Sequence, residues 1–285
     1  MNGLINLYKP SGMSSARAVS IVKRILGEKR VGHMGTLDPM AEGVLVIGVG
    51  KSARLFDYIS GRRKSYIAKF KFGYATDTLD ALGTVTQTTR DIPSIDAVLG
   101  AMRSLVGEID QVPPEYSAKH IDGKRAYKAA RSGEAVELPP CRVHIYDAEL
   151  ICQPAMDEAV FKIDCSAGTY IRSICRDVAK MCGSLATLTY LQRTRSGCFS
   201  VKDSITPDAL EIQKAQAIIS PEVALADMPA YEVDAAEYDD LTHGRRIECA
   251  FDGDNRIYCR GEFFGIGQAT GGVLRIKTYL RDEET

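Results

Sequence analysis

Residues 32–39 read Gly32-His33-Met34-Gly35-Thr36-Leu37-Asp38-Pro39, a single carboxylate in a short turn-forming run. Gly32 and Gly35 let the backbone pass close to a partner or take positive φ. Pro39 pushes Asp38 out of the α region. Asp38 is therefore expected on a rigid, exposed loop, where function is commoner than packing. A carboxylate so placed can serve as a nucleophile or take up a hydrogen. An Asp-Pro pair also closes ordinary turns, so the surroundings must decide.

The surroundings are basic. Residues 1–75 carry thirteen Lys/Arg and four Asp/Glu (net +9), and residues 200–285 carry nine and seventeen (net −8), within a chain whose total is only −1. Lys119 to Arg131 adds a further net +4. Positive charge gathered around a candidate carboxylate points to a polyanionic substrate. Lys23, Arg24, Lys29 and Arg30 read instead as a solvated helix face.

Several other chemistries are unsupported. No C-x-x-C, H-E-x-x-H or H-x-E with P-C-x-x-C is present, which argues against zinc deamination of a base. Gly50-Lys51-Ser52 mimics the end of a phosphate-binding loop, but Leu45 stands where that motif needs glycine. No G-x-S-x-G occurs, and the four histidines form no spaced cluster with carboxylates, so no metal site is expected. The eight cysteines are scattered between Cys141 and Cys259, several inside apolar runs where a thiol acts as a small hydrophobe. The opening MNGLINLYKPSG lacks a basic-then-apolar leader, and no run is apolar enough to span a bilayer. A cytoplasmic protein with reduced thiols and no membrane partner is the expectation.

The elements that must position Asp38 follow from periodicity. Residues 2–8 read as a strand ended by the turn cluster Lys9-Pro10-Ser11-Gly12. A helix over 16–27 is capped by Ser14 or Ser15 and repeats Ala18, Ile21, Val22 and Ile25 on one face. Residues 43–49, 65–73, 142–151, 159–166 and 185–195 read as strands. Helices are expected over 94–106, 123–132 and Ile171 to Met181. Composition shifts over 203–228, a linking segment, and short strands between glycine turns follow it. The pattern is α+β without regular βαβ alternation, ending in a small β-barrel. With 285 residues, 45% of them hydrophobic, the chain has room for a large domain and a small appendage.

The ordered motifs resemble the TruB family of tRNA pseudouridine synthases, those acting on uridine 55 in the TΨC arm. Lys9-Pro10-Ser11-Gly12-Met13-Ser14-Ser15 resembles the family's first motif, and GHMGTLDPMAEGVL the second, which carries the catalytic aspartate. Lys64-Ser65-Tyr66 followed by Thr76-Asp77-Thr78-Leu79-Asp80 resembles the third region. Gln111-Val112-Pro113-Pro114-Glu115-Tyr116-Ser117-Ala118-Lys119 and Ser166-Ala167-Gly168-Thr169-Tyr170-Ile171-Arg172 resemble two more. Tyr190-Leu191-Gln192-Arg193 is similar to the Leu-Arg-Arg region, with Gln192 replacing one arginine, an expected phosphate contact. The C-terminal segment is similar to a PUA domain, a small RNA-binding barrel.

What the resemblance implies is specific. Uridine becomes pseudouridine when the N1–C1′ bond breaks, the base rotates and C5 joins C1′. The change is redox-neutral, so no metal or organic cofactor is implied. Asp38 would attack C1′ or C6, or remove a 2′-hydrogen on the way to a glycal. Arg172 would pair with it, since a carboxylate in a closed site needs a countercharge. The uridine must be flipped out of its loop and held against a ring, the place of Tyr66, whose hydroxyl would relay the C5 proton. Tyr170 and Leu191 would wall the base, and His33 would fill the vacated space or contact RNA. Lys9 would support the catalytic loop or meet a phosphate, and Lys119 would contact substrate.

The sequence is thus read as a pseudouridine synthase fold with a large mixed, mainly antiparallel sheet over 1–228 and a PUA-like RNA-binding domain over 229–285. It is expected to act as a monomer on the tRNA T arm with no obligate protein partner. One rival is a non-catalytic tRNA-binding or folding protein, which has no need of a carboxylate facing a polyanion. Another is a guide-RNA-dependent relative, which the short chain and lack of a basic tail disfavour.

Overall fold

In the computed structural model of the chain, which describes residues 1–116, 120–121, 124–125 and 138–280, the apolar runs become strands of one large sheet. They are β1 (Gly3–Lys9), β2 (Val31–His33), β3 (Glu42–Val49) and β4 (Lys64–Phe72), with the small hairpin β5 (Tyr74–Thr76) and β6 (Val85–Thr88) set apart. Then come β7 (Gly107–Gln111), the hairpin β8 (His120–Ile121) and β9 (Lys124–Arg125), and β10 (Cys141–Cys152), β11 (Glu158–Cys165), β12 (Ala186–Ser196) and β13 (Phe199–Ser200). The nine-stranded sheet runs β1-β3-β12-β4-β11-β10-β7, with β2 beside β3 and β13 beside β12. Its described ladders are antiparallel except β3–β12, where Gln192 pairs with Glu42 and Arg193 with Gly43. That crossover brings β12 against the chain leaving the Asp38 loop.

Helices cover the sheet where their apolar faces match it. Helix α1 (Ser15–Leu26) starts where the Ser14 side chain accepts from the Arg17 N–H, and ends at Gly27 with φ 64°. The short α2 is Phe56–Ile59. Helix α3 (Ile95–Ser104), capped by Ser94, buries Val98, Ala101 and Met102. Helix α4 (Ile171–Met181) buries Ile171, Ile174, Cys175 and Val178, the spacing of one helix face. These side chains share a core with Leu7, Leu45, Ile47, Phe70 and Phe161 of the sheet.

The segment 203–228, containing α5 (Pro207–Gln213), runs along the outer edge of β1. Ile219 exchanges two backbone hydrogen bonds with Leu4 (2.8 and 2.9 Å), and Ile205 bonds to Asn6 and Tyr8 (3.0 and 2.7 Å). An edge that would otherwise present unpaired amides is thereby covered.

The C-terminal unit corrects one expectation. It comprises β14 (Ala230–Val233), helix α6 (Ala235–Thr242), β15 (Ile247–Glu248), β16 (Gly253–Cys259), β17 (Glu262–Thr270) and β18 (Val273–Tyr279), ordered β14-β16-β17-β18-β15. No described ladder joins β14 to β15, so the sheet is a curled half-barrel and not the closed barrel expected. The reason is local. The chain between these two strands is spent on α6, started by an Asp234–Glu237 capping box, and β15 is only two residues long. Leu241 of α6 is fully buried with Ile257, Phe264 and Leu274, and Tyr238 meets Phe264 edge-on at 4.9 Å. The helix covers the apolar face that barrel closure would otherwise hide.

The helix expected over 123–132 lies outside the described residues except for Lys124–Arg125, which form β9. Among the described residues no helix is long and apolar enough to cross a membrane.

Candidate active site

The loop carrying Asp38 has a partner for every backbone carbonyl from residue 35 to residue 40. Arg193 donates to Thr36 O (3.1 Å) and Gly35 O (3.2 Å), and Ser15 Oγ donates to Leu37 O (2.8 Å). Asp38 O accepts from the Ala41 N–H (3.1 Å), Pro39 O from the Gly12 N–H (2.8 Å), and Met40 O from Ser11 Oγ (2.8 Å). Ser11 and Gly12 belong to the turn after β1 and Ser15 opens α1, so the turn and the helix start together hold the loop. Gly35 sits at φ +127° and Gly43 at φ +100°, where a Cβ on Gly43 would lie 2.4 Å from Arg193 O.

Arg172 reaches Asp38 from the first turn of α4. Its Nε donates to Oδ2 at 2.8 Å and its Nη2 to Oδ1 at 3.0 Å, a two-pronged pair. Two further donors meet Thr78 O (3.0 Å) and Tyr116 O (3.1 Å), and Asp80 Oδ2 lies 3.9 Å from Nε. Arg172 is 4% exposed whereas the Asp38 side chain keeps 27%, so the carboxylate alone of this pair opens outward. The start of α4 is pinned: both amide groups of the Gln111 side chain bond to the Tyr170 backbone (2.8 and 3.1 Å), and Ser173 Oγ donates to Val112 O. Leu79, between the Thr78 carbonyl and Asp80, sits at φ 63°, a strained conformation for a leucine.

Asp38 opens into a cavity of about 310 Å³ lined by Gly35, Tyr66, Leu191 and Arg193, by Phe56, Ser60 and Lys64, and by 167–172. Of the residues expected at the site, Asp38, Tyr66, Tyr170, Arg172 and Leu191 converge here. Burial pushes the Tyr66 phenol up to about 12, with the neighbouring Arg193 opposing it. Arg193 is 1% exposed and also donates to Val44 O at 2.7 Å.

Two expected residues fall elsewhere. Lys9 is fully buried; its ammonium donates to Met13 O (2.6 Å), Pro10 O (2.9 Å) and, more weakly, Pro39 O (3.5 Å). Of its two expected roles, support of the catalytic loop or a phosphate contact, these bonds fit the first: it holds the first motif and touches the catalytic loop, and burial lowers it to about 8. His33, half-buried on β2, is not among the cavity-lining residues. Lys119 lies outside the described residues. Gln192 turns to Glu42 (3.3 Å), which also accepts from the Tyr190 hydroxyl (2.8 Å).

Sequence reasoning missed Arg193, Lys64 and Asp80 as site residues. All three stand in the motifs that carry the resemblance. As single basic or acidic residues in strands and turns, however, they carry no periodic signal of burial.

Similarity to known proteins runs almost the whole length of the chain. Residues 23–171 match the family described as TruB family pseudouridylate synthase (N terminal domain). Residues 229–278 match Pseudouridine synthase II TruB, C-terminal. The chain is 39% identical over 290 residues to tRNA pseudouridine synthase B of Clostridium tetani, covering 98% of this chain and 100% of that one. With the enzyme of the same name from Caldanaerobacter subterraneus subsp. tengcongensis it shares 35% over 283 residues, 97% and 98% of the two chains. Among solved structures, a chain of an H/ACA RNP bound to a substrate RNA containing 2′-deoxyuridine superposes with TM-score 0.74 at 22% identity, covering 99% of this chain and 86% of that one. A chain of a Cbf5-Nop10-Gar1 complex gives 0.72 at 24%, covering 97% and 84%. At these identities the two structures speak for the fold alone.

Proposed function

The chain belongs to the TruB family of pseudouridylate synthases, and from that premise we propose that it isomerises uridine 55 in the T arm of tRNA to pseudouridine. The observation that carries this reading is the Asp38 carboxylate, gripped from behind by Arg172 and open to a nucleoside-sized cavity walled by Tyr66 and Leu191. The relatives' names supply the tRNA, and the basic N-terminal third supplies the electrostatics.

The chemistry follows from the groups in place. Asp38 is held ready to react, because every backbone carbonyl of its loop from residue 35 to residue 40 is bonded. Attack on the sugar or base, or removal of the 2′-hydrogen, places new charge beside the Arg172 fork. The Tyr66 ring offers the flipped base a face to stack on. Its phenol stands protonated at neutral pH, so it can relay the C5 proton only by releasing its own as it accepts. Asp80 lies behind Arg172 and shares its charge, which holds the guanidinium in one orientation.

Residues 1–228 are read as the catalytic unit and 229–285 as the RNA-binding appendage. One copy of the chain supplies every group named here, in keeping with a monomer. The test is incubation with a single unmodified tRNA transcript followed by pseudouridine mapping. Conversion at position 55 supports the reading, and a transcript left unmodified under conditions of demonstrated binding refutes it.

A further inference from the structure

We infer that Lys64 receives a backbone phosphate of the RNA as the target uridine enters the cavity. The inference rests on the RNA reading above and extends it to a positioning residue.

Lys64 opens β4 and lines the same cavity as Asp38. It is only 7% exposed, yet no carboxylate stands among its described partners. Its ammonium has three donors, and among the described residues the acceptor it meets is Ser60 O at 3.2 Å. The other described groups around it offer no negative charge. Gly35 lies so close that a Cβ there would be 3.4 Å from Nζ. Arg193 repels it, and burial holds the Cys165 thiol neutral, at about 11. Asp38 is taken by Arg172, and each guanidinium nitrogen of Arg193 already donates to a backbone carbonyl.

Buried ammonium groups are ordinarily paired, because desolvation is costly. A structural role would have been met better by an apolar side chain of the same length. The missing countercharge is one that a flipped nucleotide brings with it, a phosphodiester on its 5′ or 3′ side. Lys64 and Asp38 line one cavity, so an anchored phosphate would fix the sugar relative to the carboxylate.

The test uses the full chain, the Lys64→Met variant and synthetic T-arm hairpins. One hairpin carries only phosphates; the others carry a neutral methylphosphonate on the 5′ or the 3′ side of the target uridine. Conversion of the unmodified hairpin by the wild-type chain checks the underlying reading separately. Lys64→Met should weaken binding of the all-phosphate hairpin roughly tenfold or more, the value of a charge-assisted contact. On the hairpin neutralised at the engaged linkage, wild type and variant should bind alike; at the other linkage the penalty should persist. Methylphosphonate should also weaken wild-type binding at one of the two linkages, a readout that needs no variant. Full additivity at both linkages, or a variant that melts well below wild type, would place the ammonium in the fold and overturn the inference.

Discussion

Ser15 Oγ accepts from the Leu37 N–H at 2.9 Å and donates to the Leu37 carbonyl at 2.8 Å, across 22 residues of sequence. One hydroxyl thus satisfies both backbone groups of the residue before Asp38. Ser15→Ala leaves two groups of a buried residue unbonded, a cost of roughly 2–4 kcal/mol. Urea unfolding should report that loss. Single-turnover rates should fall while RNA affinity holds, because the loop that aims Asp38 loosens and the basic surface does not. Wild-type rates in this variant would show that the loop is held without Ser15.

Asp38→Asn should abolish pseudouridine formation and leave tRNA binding close to wild type. The amide fills the same space but lacks the charge and nucleophilicity. Pseudouridine mapping and filter binding on the same preparation separate the two effects, and near-normal turnover would remove Asp38 from its role.

Arg172→Lys should be nearly as damaging, with turnover down about a hundredfold or more. The guanidinium serves two carboxylate oxygens and two carbonyls in one plane. A single ammonium at the end of a flexible stem cannot reproduce that arrangement. Rates within a few-fold of wild type would mean that charge alone, and not the fork, is needed.

The main strands and helices of the large sheet were legible because each carries a long apolar period. The 43–49 run became β3, and the 3–4 spacing of Ile171, Ile174 and Val178 became α4. The parallel β3–β12 contact was not legible, since it joins segments about 150 residues apart through only two residue pairs. Asp38 stood out through its Gly- and Pro-flanked turn, and the resemblance supplied Arg172. Arg193 and Lys64 did not stand out, because a buried cation follows no hydrophobic pattern. Lys9 was legible with two roles left open, and its three carbonyl partners favour support of the loop over a phosphate contact. The half-barrel was misjudged for a related reason. Short strands between glycine turns do not reveal that α6 takes the place of a closing seam.

Removing residues 229–285 should lower stability as well as RNA affinity. Phe263, Ile266 and Leu280 of the appendage pack into the same cluster as Leu4, Val44, Val46 and Leu225. Arg256 and Asn2 add hydrogen bonds across the junction, to Met228 O and Leu280 O. Exposing that cluster costs on the order of 5 kcal/mol. Thermal melting of the truncated chain should fall by many degrees, and an unchanged melting temperature would mean that the appendage is only tethered.

The stability cost of Lys64 should depend on pH in a defined direction. Burial and the neighbouring Arg193 lower its ammonium from 10.5 to about 8. Below pH 8 the group is protonated in both folded and unfolded chains, so the full penalty of burying the charge is felt. Between pH 8 and 10.5 the unfolded chain holds a proton that the folded chain has released, and stability from this group rises with pH. Above that window the side chain is neutral in both states and the penalty is gone. Lys64→Met should therefore be more stable than wild type at pH 7, by at most about 3 kcal/mol. Its advantage should shrink steadily between pH 8 and pH 10. Lys9 carries a similar shift but is present in both proteins and cancels from the difference. The Cys165 thiol beside Lys64 keeps its proton across most of that window. Urea midpoints for the two proteins at several pH values measure the difference directly. A difference that stays constant across the range would show that the ammonium is not a cost in the RNA-free protein.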